Sequence, residues 1–207
     1  MFGIFALCVV GLAFVGRDSY NQDQVEHGEP AVSMSEYLGT PDFGEAMFEN
    51  WESEFLQMGA YVVLTVFLFQ RGSSESKDPD ESKGGADDAV RKSRKRDAPA
   101  PVRRGGLALA IYNHSLSIAL FAFFGFSFVL HLIAGAARFS EEQLAHGGAP
   151  VTAVQYLSAP QFWFESLQNW QSEFLAVGVL IVLSIFLRQK GSPESKKVAA
   201  PHLETGS

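Results

Sequence analysis

Asn50-Trp51-Glu52-Ser53-Glu54-Phe55-Leu56 and Asn169-Trp170-Gln171-Ser172-Glu173-Phe174-Leu175 are two versions of one heptapeptide, and each leads straight into an apolar run. A shift of 119 residues (169 minus 50) aligns Gln24–Lys77 with Gln143–Lys196 without a gap, and 25 of those 54 positions are identical. Identity at that level with no insertion implies duplication, so each half should fold like the other. The same shift sets Phe2–Asp23 on Phe121–Glu142, where identities are few but the apolar character persists.

The apolar residues come in blocks rather than at core spacing. Hydrophobic residues make up 47% of the 207, with 18 Phe, and they gather in Met1–Gly16, Phe55–Phe69, Ile111–Ala137 and Phe174–Leu187. Ile111–Ala137 has no charged residue apart from its histidines and is long enough to cross a bilayer core of about 30 Å. Counted from Trp51 and Trp170, the second and fourth blocks run 19 residues to Phe69 and Arg188, about 28 Å at ~1.5 Å per residue. Trp51 and Trp170 then serve as interfacial anchors at one end of each span. The expected fold is an all-α membrane protein, with four transmembrane helices built from two tandem parallel helical hairpins and with helical external segments. Residues 1–77 form the first hairpin repeat, 78–106 a disordered linker, 107–196 the second repeat and 197–207 a disordered tail. Two spans per repeat insert both copies in the same sense, giving a four-helix bundle about a pseudo-twofold axis along the membrane normal.

Charge sets the orientation. Of the 16 Lys and Arg, 10 lie in Arg71–Arg104 and 4 in Arg188–Lys197, which places the linker and both termini in the cytoplasm. The opposite connections hold 14 of the 23 acids, so the net charge of -7 comes from the external side and argues against a nucleic-acid role. The lipid bilayer is the expected partner, homo-oligomerisation is compatible with the exposed surface of a bundle, and protein partners are unknown. Cys8 is the only cysteine, so neither an intrachain disulfide nor a cysteine metal motif can form.

Met1–Gly16 is short for a span and lacks the basic start and small-x-small site of a signal peptide. Met1 aligns with Leu120, whereas the third block starts near Ile111. The first span is therefore expected to lack about two turns, with Met1 a late or misassigned start. Thr40-Pro41 reads as a helix start, with Ala159-Pro160 its weaker counterpart. From there the chain either continues as one helix through the membrane or bends near Asn50.

The candidate polar site is the duplicated set Asn50, Ser53, Glu54 and Asn169, Ser172, Glu173. On a helix, Asn and Glu four apart share a face, and each Glu lies about one turn deeper than its Trp, where an unpaired carboxylate is costly. His27 and His146 repeat within Gln-x-x-His-Gly and are weak metal candidates; loop-anchoring hydrogen bonds explain them as well. His131, opposite Leu12, and His114 lie in or beside the third block without being duplicated. No catalytic signature is present, and neither a cofactor nor a metal is expected.

The heptapeptide, the span that follows it and Phe186-Leu187-Arg188-Gln189-Lys190-Gly191-Ser192-Pro193-Glu194-Ser195-Lys196 resemble a bacterial family of duplicated integral membrane proteins known as a domain of unknown function. That resemblance covers nearly the whole chain. It implies a bacterial inner-membrane protein, and it brings no activity or site residue with it. The expectation is a non-enzymatic structural or interaction module of the cell envelope. The alternative is a small transporter or channel-like protein in which the paired Glu bind a proton or cation.

Overall fold

The computed structural model describes residues 1–67, 98–192 and 194–202. Among these the chain is all-helical, without a strand. The helices are α1 (Phe2–Glu26), α2 (Met34–Tyr37), α3 (Pro41–Phe67), α4 (Ala100–Arg104), α5 (Gly106–Asn113), α6 (Ser115–Ala145), α7 (Ala153–Leu157) and α8 (Pro160–Phe186). Three of them, α1, α6 and α8, are long and apolar enough to cross a membrane. Helix α3 has the same 27-residue length as α8. Its first half carries Asp42, Glu45, Glu49, Glu52 and Glu54, and the end of its apolar block lies outside the described residues.

Both Pro-initiated helices are single α-helices that include Asn50 and Asn169. No residue stronger than Gly44 interrupts the first, and the Thr40 hydroxyl caps it by accepting the Phe43 N–H at 3.3 Å. Helix α1 continues to Glu26, since charge does not stop a helix, and Gly28 at positive φ follows its end. The linker expected to be disordered through residue 106 is helical over Ala100–Arg104, where Pro101 sits in the first turn, as its fixed φ allows. Residues 78–97 of that linker lie outside the described residues. At the end of the second repeat, Lys196 is buried and donates to the Pro201 and His202 carbonyls at 3.2 and 2.8 Å.

Contacts recur at positions 119 apart. Gly28 and Gly147 both take positive φ (79° and 76°), the region that favours glycine. His27 and His146 each place Nδ1 2.9 and 2.8 Å from the carbonyl four residues back. Asn21 clamps the backbone N–H and C=O of Val32, and Ser140 does the same to Val151. Ser33 with Glu36, and Thr152 with Gln155, close capping boxes on α2 and α7. The Ser33 backbone and hydroxyl donors hold the Glu36 carboxyl below its ordinary 4.5. That cap contributes fully above the ordinary value and is lost as acid protonates Glu36.

The chain divides into two compact units, Met1–Ser53 with Phe124–Asn169, and Glu54–Phe123 with Trp170–Ser207. In the first, Tyr156, Phe162 and Ala136 form the buried cluster, edged by Phe128, Leu132 and Phe139. Phe162 meets Phe128 and Tyr156 edge-on, with centroids 5.3 and 5.6 Å apart. Tyr37 is equally buried, and its hydroxyl lies where a Cβ on Gly16 would go. Gly135, the counterpart of Gly16, has Tyr156 Cε1 2.6 Å from the place of its missing Cβ. Gly135→Ala should therefore destabilise the fold by about 1–3 kcal/mol, read as an earlier thermal transition in detergent. In the second unit Phe55 stacks on Phe123 at 5.1 Å, and Gln57 donates to the Glu173 carbonyl at 2.9 Å.

The interior is polar. Among the described residues the buried hydrophobic side chains are Tyr37, Ala136, Tyr156 and Phe162, against Glu45, Glu52, Ser53, Gln57, Ser127, His131, Ser166, Ser184 and Lys196 on the polar side. Phe123, Phe126, Val129 and Ile133 of α6 are each more than half exposed. Water as solvent would favour the reverse distribution.

Candidate functional site: a buried carboxylate–histidine cluster

Three helix faces in the first unit build the site. On α3, Glu45, Glu49 and Glu52 recur at i, i+4 and i+7, one face of a helix. On α6, Ser127, His131, Gly135 and Arg138 follow the same rule. On α8, Phe162, Glu165 and Asn169 do so again. Helix α7 adds Tyr156, aimed inward because its capping box and the glycine at 135 let it approach closely.

The side chains form an unbroken polar chain. Arg138 Nε lies 3.3 Å from Asp42 Oδ1, and its Nη1 donates to Glu45 Oε2 at 2.7 Å. Tyr156 reaches Glu45 Oε1 at 3.3 Å and Glu165 Oε2 at 2.5 Å. A hydroxyl has one proton, so the short bond to Glu165 is the one it donates. Glu165 Oε2 lies 3.7 Å from His131 Nε2, and His131 Nδ1 lies 2.7 Å from Glu52 Oε2. Neither His131 nor Glu52 exposes any side-chain surface. The His131 ring rests on Phe162, with centroids 5.0 Å apart, which fixes its plane. Asn169 donates to Glu49 Oε1 and, at 3.2 Å, to the Glu165 carbonyl.

Three buried atoms beside this chain have no hydrogen-bond partner: Ser127 Oγ, Ser166 Oγ and His131 Nε2. Burial and the Glu165 carboxylate push the Tyr156 hydroxyl well above its ordinary 10, so it remains a donor at any physiological pH. Tyr37 is raised to about 12 by burial and by Asp42, to which it donates at 3.2 Å. Tyr156→Phe removes a hydrogen bond to a charged group and should cost about 1.5–3 kcal/mol, measured as a fall in unfolding free energy. Tyr37→Phe, beside a partly exposed carboxylate, should cost less.

The outer end of the chain opens on a cavity of about 590 Å³ whose walls include Asp42, Arg138, Asp23, His27, Glu142 and His146. It is strongly acidic, so it concentrates cations next to the Arg138–Glu45 contact.

The sequence candidates divide. Glu54 is exposed, because two residues along a helix is about 200° of rotation and Glu52 faces inward. Glu173 is half-buried and near enough to Glu54 for their charges to repel. Asn50 and Ser53 make local contacts, to the Ala46 carbonyl at 2.7 Å and the Asn50 carbonyl at 2.8 Å. Ser172 is exposed, and Asn169 alone of the set joins the cluster. Trp51 packs on Phe5 and Phe48, and Trp170 is half-buried. His27 and His146 line the cavity and hold their own helix ends. Among the described residues only Glu45, His131 and Glu165 bring three metal-ligating atoms within 4.8 Å of one another.

His131 carries a sequence signal, an imidazole inside the most apolar block. Glu45, Glu49 and Glu52 carry one too, an acidic stripe at helical spacing. Glu165 and Tyr156 carry none that singles them out. No curated protein and no solved structure matches this chain. The match that does exist runs from the first residue to the last: over residues 1–207 the chain belongs to the family described as Domain of unknown function (DUF6766).

Proposed function

We propose that this chain is a non-enzymatic membrane protein of the small-transporter or channel type, which binds a small cation in its buried carboxylate–histidine cluster. The observation that carries the reading is the charge balance of that cluster. Glu45, Glu49, Glu52 and Glu165 face Arg138 and His131, so four acids meet at most two positive charges. A buried excess of negative charge is costly unless a positive partner is supplied, and a bound cation supplies it. The acidic cavity at Asp42 and Arg138 is the route of entry.

Four membrane spans, α1, α3, α6 and α8, complete the reading. Support comes from the apolar outer surface, from the three helices apolar enough to cross, and from α3 matching α8 in length and position. The paired contacts 119 residues apart support a tandem duplication of one hairpin. The basic stretches Arg71–Arg104 and Arg188–Lys197 favour cytoplasmic termini in a bacterial inner membrane, with the cluster toward the outer side.

A structural module of the envelope is the second reading. It is favoured by the same side chains tying three helices together through His131–Glu52, Arg138–Glu45 and Asn169–Glu49. Cation uptake into proteoliposomes separates the two. Wild type should pass a cation down an imposed gradient and Glu165→Gln should lose that flux; no flux from wild type would leave the structural module.

A further inference from the structure

The ion itself is legible in the way His131 is held, an inference that rests on the cation-binding reading above. Glu52 can only accept, so the 2.7 Å contact makes Nδ1 of His131 the protonated nitrogen. A metal that displaces the second ring proton then meets the lone pair of Nε2. That nitrogen is fully buried, has no hydrogen-bond partner, and lies 3.7 Å from Glu165 Oε2. An imidazole backed by a carboxylate on one nitrogen, with the other nitrogen directed at further carboxylates, is the arrangement by which proteins orient a metal-ligating histidine.

We propose that Glu45, His131 Nε2 and Glu165 ligate a divalent transition-metal ion, with Glu52 a positioning residue behind the imidazole. Their ligand atoms already lie within 4.8 Å of one another. Ligands about 2.1 Å from one ion sit about 3.4 Å apart in tetrahedral geometry, so rotamer adjustments of about an ångström close the site. The Nε2–Oε2 edge is nearly there at 3.7 Å. One imidazole with two carboxylates suits Zn²⁺, Mn²⁺ or Fe²⁺; an alkali ion would have no use for the nitrogen. Arg138 holds Glu45 Oε2, Gln161 holds Glu165 Oε1 at 2.5 Å and Tyr156 donates to Glu165 Oε2 itself, the outer shell such a site needs. With His131 neutral the four carboxylates face Arg138 alone, and a divalent ion would cancel two of the three excess negative charges.

The test uses the full chain in detergent, stripped with EDTA and titrated with Co²⁺ as a spectroscopic stand-in for Zn²⁺. One equivalent should produce visible d–d bands that Zn²⁺ displaces. Glu52→Gln should weaken affinity by about 10–100-fold, the usual cost of losing an outer-shell carboxylate. His131→Gln should remove the bands, and His27→Gln/His146→Gln should leave them unchanged. Circular dichroism and elution volume report whether each variant is folded. Should His131→Gln not fold, wild type and Glu52→Gln still decide. A wild type that binds neither Co²⁺ nor Zn²⁺, or a Glu52→Gln variant with unaltered affinity, overturns the metal site. Cation flux in proteoliposomes without bound Co²⁺ or Zn²⁺ sinks the metal and spares the cation-binding reading. One equivalent dependent on His131 upholds the metal site even where no ion crosses the bilayer.

Discussion

His131→Leu should lower the unfolding free energy by about 3–5 kcal/mol in EDTA, because it leaves Glu52 buried without the imidazole it now contacts at 2.7 Å. Removing one member of a buried pair strands the charge of the other, and that cost exceeds the lost hydrogen bond. Glu52→Leu should destabilise as well, because it leaves the Nδ1–H of His131 buried without its acceptor. The double variant His131→Leu/Glu52→Leu should then cost clearly less than the sum, since apolar replacement of a whole buried pair is often near neutral. Measured by denaturant titration in micelles, a coupling of a few kcal/mol is expected. Additive single effects would mean that the two side chains do not act as a pair. The result separates the pair from the rest of the interior, where Ser127 and Ser166 have no partner to lose.

How the fold was legible, and where the site was not, has one physical origin. The backbone devices are duplicated. Gly28 and Gly147, the two capping boxes, Tyr37 and Tyr156, and the Pro41 and Pro160 helix starts all stand 119 residues apart and can be read by alignment. A turn needing positive φ, or a helix needing a cap, constrains residue type locally, so the same residue types recur at that spacing. The cluster is not duplicated. His131 stands opposite Leu12, Glu45 opposite Phe164, Glu52 opposite Gln171, and Glu165 opposite Ala46. The matched polar residues are Glu54 and Glu173, whereas the set that meets in the interior is asymmetric.

Only helical phase corrects this. Glu52 and Glu54 look equivalent in a string, yet about 200° of rotation sends one inward and the other outward. The sequence could fix the phase within α3 through its stripe of Glu45, Glu49 and Glu52. It could not say that His131 and Glu165, from distant segments, would meet that stripe. Tyr156 is the clearest case. It has a counterpart in Tyr37, but its role between Glu45 and Glu165 arises from tertiary packing against Gly135.

Flux through reconstituted protein, compared between two paired variants, tests the cation-binding cluster most directly. Glu52→Gln/Glu165→Gln neutralises the buried carboxylates that flank His131; Glu54→Gln/Glu173→Gln neutralises the duplicated ones in the other unit. Each substitution keeps size and helix propensity, so both proteins should insert and elute as wild type does. In proteoliposomes with an imposed inward gradient of Zn²⁺ or protons, the expected result is flux reduced at least tenfold by the first pair and retained by the second. Flux that survives Glu52→Gln/Glu165→Gln but is lost in Glu54→Gln/Glu173→Gln would contradict it.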